Sequence, residues 1–161
     1  MKYLLPAFLA IVLFASIRAS AQEAIFIVGI ADYSQTEPDP PLNEIGRIQA
    51  EAWAKELSSA SIDAVFSSER RRSRETVAPL ARERGLSVVS LPKDATEELV
   101  QTIKSVHADD RVFMSIHDSY LLPLLRGFGY TGVVPSVILR DLAILVPRPG
   151  KEPILILVRL D

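Results

Sequence analysis

Short apolar runs alternate with stretches of helical periodicity along most of this chain, and that alternation narrows its fold more than any other feature. The runs are residues 24–28, 62–66, 86–91 and 111–116, rich in Ile, Val, Phe and Leu. Between and after them, residues 43–57, 69–84, 96–106 and 120–128 repeat apolar side chains at helical spacing. Parallel strands need crossovers that helices supply, so the pattern predicts a three-layer α/β/α domain. Its sheet is expected to be mostly parallel, with helices on both faces. Residues 142–146 and 154–158 are expected to add a hairpin across Pro147 to Pro153. Asn43 is the expected cap of the first helix, whose inner face is expected to carry Ile45, Ile48, Ala52 and Leu57. Gly46 in that helix costs about 1 kcal/mol against Ala, so a close backbone contact is expected there. Ser67-Ser68 is the expected cap of the second helix and Gly85 its end. Leu99, Ile103 and Val106 are expected to face inward from the third.

The first run, Ile25-Phe26-Ile27-Val28, ends at Gly29-Ile30-Ala31-Asp32. In open α/β sheets ligands bind just beyond the carboxyl ends of the strands. Gly29, Ile30 and Ala31 carry no nucleophile, acid or base at the place where chemistry is expected. The prolines around Asp39 then favour a stiff, extended loop.

The beginning of the chain reads differently. Met1-Lys2 is a short basic start, residues 3–17 form a 15-residue apolar stretch, and Ala19-Ser20-Ala21 fits a signal-peptidase pattern. A membrane span needs about 20 residues. We therefore expect residues 1–21 to be a signal peptide and residues 22–161 to be an exported domain, periplasmic or extracellular. An uncleaved anchor is the competing reading; after cleavage no membrane insertion is expected. The sequence has no cysteine, so the domain must stand on its core alone. Cleavage removes Lys2 and Arg18 and no acid, leaving 16 basic against 20 acidic residues, a balance that argues against nonspecific nucleic-acid binding. Two histidines without cysteine give no metal-site pattern, and no cofactor is expected.

Three segments in order resemble the histidine phosphatase superfamily, of phosphoglycerate mutase-like fold. Pro41-Leu42-Asn43-Glu44-Ile45-Gly46-Arg47-Ile48-Gln49-Ala50 is similar to its P-L-T/S-x-x-G-R-x-Q-A helix start. The stretch from Ser67-Ser68 through Arg72 to Thr76 resembles S-S-x-x-x-R-[AT]-x-x-T. Val112-Phe113-Met114-Ser115-Ile116-His117 is similar to V-L-V-V-G-H. The resemblance implies phosphoryl chemistry at a His in an Arg-His-Gly/Ala motif after the first strand. A second Arg and a second His hold the phosphate. Here Gly29 stands at the first Arg position and Ile30 at the nucleophile position. A register slipped to Gln35 would put Asp32 and Tyr33 there instead, and neither register restores the pair. Arg72 and His117 match the other two positions, as candidate phosphate-binding residues. An Arg fork at a helix start suits phosphate, and a protonated His adds a charge-assisted hydrogen bond.

The N-terminal pattern and the resemblance together imply an exported protein of this fold that lacks catalysis, and that either keeps a weakened phosphate-type anion pocket at Arg72 and His117 or serves as a binding or interaction module whose protein partner is left unnamed. The alternative is a phosphomonoesterase using Asp32, Tyr33 or His117 as nucleophile. Plainer roles stand beside these. Arg70, Arg71 and Arg74 read as a solvated helix face, His107 as exposed and idle, and Trp53 as helix packing. Asp118 follows His117 as in the phytase-like branch, whose remaining pattern is missing.

Overall fold

A computed structural model describes residues 24–35, 37–134 and 141–159 of the chain. The expected signal peptide lies outside the described residues. The strands are β1 (Ile25–Val28), β2 (Ala64–Ser68), β3 (Val88–Leu91), β4 (Val112–Ser115), β5 (Leu142–Arg148) and β6 (Lys151–Val158). The helices are α1 (Glu44–Glu56), α2 (Arg71–Arg84), α3 (Thr96–Val106) and α4 (Asp118–Gly127). They build one sheet of order β3-β2-β4-β1-β5-β6. β3, β2, β4 and β1 run parallel, whereas β5 and β6 are antiparallel.

Successive strand residues point to opposite faces, and each face has its own core. Ile25, Ile27 and Met114 pack with Val100 and Ile103 of α3 and with Leu121, Leu124 and Leu125 of α4. Val28, Val65 and Phe113 pack with Trp53, Ala54 and Leu57 around α1 and with Val77 and Leu80 of α2. The three-layer expectation is met, and Trp53 is packing.

Several local expectations need correction. Ile45 and Ile48 are 58% and 64% exposed, and the buried face of α1 is Gly46, Ala50, Trp53 and Ala54. Small side chains let α1 settle close to the β1 loop, and that rotates the isoleucines outward. Val106 is exposed because α3 ends there, beyond the sheet. The hairpin is tighter than expected: β5 and β6 continue through Pro147 and Pro153, and only Pro149-Gly150 turns, with Gly150 at a φ of 67°. His107 is not idle; its Nδ1 lies 2.6 Å from Asp110 Oδ2, and its ring meets Phe66 edge to face.

The hairpin is also tied to the segment after α4. Glu152 Oε1 accepts from the Thr131 backbone N–H at 2.6 Å and from its hydroxyl at 2.7 Å. These bonds, the hydroxyl first, hold the Glu152 carboxyl below its ordinary range. A lowered carboxyl stabilises the fold above its unfolded value, and that contribution fades as pH falls through the folded one. The Thr131 amide NMR shift should therefore titrate in acid, below the ordinary glutamate range. Glu152→Gln should abolish that titration with little change in overall stability.

Candidate functional site

The residues singled out by sequence stand at the carboxyl edge of the parallel strands. The Ile116 N–H donates to Val28 O at 3.0 Å, so the chain leaves β1 and β4 side by side, with Gly29 next to the segment that carries His117. Gly29 is buried and Ile30 half-buried. The Ala31 N–H donates to Thr76 Oγ1, whose own hydroxyl donates to Arg72 O. Those two bonds fasten the loop after β1 to the first turns of α2.

A pair of buried hydroxyls links α2 to β4. Ser73 Oγ and Ser115 Oγ are 2.7 Å apart, and the Ser115 hydroxyl also donates to Ser73 O at 3.0 Å. Ser73 follows Arg72 and Ser115 precedes His117 by two residues, so this pair fixes the spacing of the two segments. Sequence reasoning missed it. The available signal was a serine in an otherwise apolar strand, at a position where the resemblance expects valine.

Arg72 lies over the Tyr33 ring, with Cζ 4.6 Å from the centroid. Its Nε is buried and has no hydrogen-bond partner among the described residues. Its neighbours are engaged: Arg71 Nε meets Glu75 Oε1 at 2.8 Å, and Arg70 Nε lies 3.7 Å from Glu69. Arg71 is held above its ordinary value, chiefly by the hydrogen bond to Glu75. The helix start differs from the serine cap expected. The N-cap is Arg70 without a side-chain cap, and the Arg71 N–H donates to both carboxylate oxygens of Asp39, at 3.0 and 3.2 Å. Asp39 therefore brings a negative charge to the end of the helix that favours anions.

His117 is exposed and is itself the N-cap of α4. Its Nδ1 accepts from the Ser119 N–H at 3.3 Å and lies 3.0 Å from Ser119 Oγ. An accepting Nδ1 puts the ring proton on Nε2, which then faces outward as a donor. A crevice of about 40 Å³ lies beside it, lined by Ser67, Ser68, Lys93, Ser115 and Tyr120. A water needs about 10–15 Å³ of such space, so the crevice has room for a few waters. Arg72 is not among the crevice's walls, and among the described residues no hydrogen bond joins Arg72 to His117. Of the substitute nucleophiles, Tyr33 is stacked on Arg72 and Asp32 is exposed, its N–H bound to Gln49 Oε1. The structure thus brings Gly29, Ile30, Arg72 and His117 to one edge. Among the described residues the donors there, Arg72 and His117, are not hydrogen-bonded to each other.

Residues 30–95 match the histidine phosphatase superfamily (branch 1). The match takes in Arg72 and stops before His117. No curated protein matches the chain in sequence. The protein histidine phosphatase SixA complexed with tungstate is similar in fold: TM-score 0.68, 16% identity, 83% of this chain and 94% of that one. A mycobacterial glucosyl-3-phosphoglycerate phosphatase with inorganic phosphate has a TM-score of 0.58 at 16% identity, covering 86% and 96%. A proposed alpha-ribazole-5'-P phosphatase from Escherichia coli has a TM-score of 0.66 at 15% identity, covering 86% and 97%. Match and fold together liken the chain to the histidine phosphatase superfamily: its model matches residues 30–95, and solved phosphatases of that kind share the fold.

Proposed function

We propose that this protein is an exported, non-hydrolysing member of the superfamily that binds a phosphate-type anion through Arg72 and His117. The observation that carries the reading is the contrast at the strand edge. Gly29 and Ile30 offer no nucleophile, whereas Arg72 keeps a buried Nε with no partner among the described residues. A His nucleophile carries the covalent step itself, so its loss removes turnover before it removes binding. Export rests on the Ala19-Ser20-Ala21 pattern. Among the described residues no helix is long and apolar enough to cross a membrane. Tungstate and phosphate in the related structures support the choice of anion.

The test has three readouts. Purified protein should turn over a generic aryl phosphate no faster than a heat-inactivated control. Tungstate should perturb the NMR signals of the Arg72 and His117 segments, and Arg72→Ala should weaken that binding by about 10- to 100-fold. Mass analysis of exported protein should find the chain starting at Gln22. Steady turnover abolished by mutating Asp32, Tyr33 or His117 would replace this reading with the enzymatic one.

A further inference from the structure

We infer that the Arg72 site selects a singly charged anion carried on an aromatic body, such as an aryl sulfate, over a phosphate dianion. The inference rests on the reading of Arg72 and His117 as an anion site and narrows what that site takes.

The first argument is charge. The two positions where the resemblance expects Arg and His hold Gly29 and Ile30. Of the three arginines at the start of α2, Arg71 and Arg70 already face Glu75 and Glu69, and Arg72 has no carboxylate partner among the described residues. The Asp39 carboxylate on the Arg71 N–H cancels much of what the helix end would add. Stripping water from a dianion costs far more than from a monoanion, and one guanidinium returns enough for one charge only.

The second argument is the surface around that charge. The Arg72 Cζ lies over the Tyr33 ring, 4.6 Å from its centroid, and the Tyr120 ring stands edge-on to His117 with centroids 6.3 Å apart. Ile30 adds a half-buried apolar side chain where the family pattern is polar. An anion bound at the Arg72 guanidinium lies within reach of the Tyr33 ring. An aromatic substituent on it can then stack on the tyrosine while its oxygens meet the guanidinium.

Titration calorimetry at pH 8 with four probes tests this: methyl sulfate, phenyl sulfate, phenyl phosphate and inorganic phosphate. At that pH the two sulfate esters are monoanions and the two phosphates are largely dianions. Phenyl sulfate should bind tightest, about 2- to 10-fold tighter than methyl sulfate, the range expected for one aromatic contact. Tyr33→Leu should erase the preference for phenyl over methyl sulfate, read as the ratio of the two affinities within that variant. Gly29→Arg with Ile30→His should reverse the order of phenyl sulfate and phenyl phosphate. Phenyl phosphate binding more tightly than phenyl sulfate to the wild type would overturn the inference and leave the anion site standing. Failure of all four probes to bind in an Arg72-dependent way would overturn the anion site itself. The wild-type series decides the matter even if a variant does not fold.

Discussion

Gly29→Arg combined with Ile30→His is expected to hydrolyse an aryl phosphate on the order of 10²-fold or more above wild-type background. That is a small part of the ~10⁶ a nucleophile is worth in subtilisin. The two positions close β1, and Ile116 N–H to Val28 O holds them beside the His117 segment. A His at position 30 supplies the attacking nitrogen, and an Arg at position 29 orients the phosphate for in-line attack. Backbone strain does not stand in the way. The left-handed glycines are Gly85, Gly129 and Gly150, so Gly29 already has a φ that other residues adopt. Burial is the opposing cost, because an Arg side chain leaving buried Gly29 has to reach the sheet edge to be solvated. Ile30 is half-buried, so an imidazole there can find water or a ligand. Ile30→His alone should yield less activity, since the phosphate would lack its second guanidinium. Adding Arg72→Ala to the double mutant should return the rate to background. A folded double mutant no faster than wild type would show that the site differs from the family pattern at more than this pair.

How much of this was legible in the sequence depends on the range of the interaction. Strand and helix order was legible because period-two and period-3.6 patterns are local, and the β1 end could be placed because an apolar run met a glycine. The cap of α2 was not. Two serines sat at the expected position, but the Arg71 N–H found Asp39, 32 residues earlier, whose loop is stiffened by prolines on either side. The face of α1 was misread for a related reason. Periodicity counts large aliphatic residues, whereas this helix buries Gly46, Ala50 and Ala54 beside Trp53 and leaves Ile45 and Ile48 outside. At the site, motif spacing located Arg72 and His117 but could not show what surrounds them. Tyr33 reaches Arg72 because the Tyr33–Leu42 bridge folds its loop back toward α2. The Ser73–Ser115 pair joins residues 42 apart, a coupling that no single-strand pattern encodes.

Gly46→Ala is expected to destabilise the protein by roughly 2–3 kcal/mol, the upper part of the overpacking range, although alanine is the better helix former. Helix propensity alone would favour alanine by about 1 kcal/mol. Against it stands a Cβ placed 1.8 Å from Asp32 O and 2.8 Å from Asp32 C. The obstacle is backbone rather than the tip of a flexible side chain, so the loop itself has to move. That same carbonyl accepts from the Asn43 N–H at 3.1 Å, and Asn43 Oδ1 accepts from the Gly46 N–H at 2.8 Å. Pushing Asp32 away therefore strains the helix cap together with the loop. Melting should fall by about 5–10 °C for a domain of this size. Gly85→Ala is the contrast: its Cβ meets nothing within 4 Å and its cost is only that of a φ of +66°, about 1–2 kcal/mol. The two variants should also differ at the site. Asp32 precedes Tyr33, so Gly46→Ala should lift the ring from Arg72 and weaken phenyl sulfate more than methyl sulfate, whereas Gly85→Ala should leave both affinities unchanged. Equal melting losses with unchanged ligand preference would mean that the loop absorbs the methyl group without moving Tyr33.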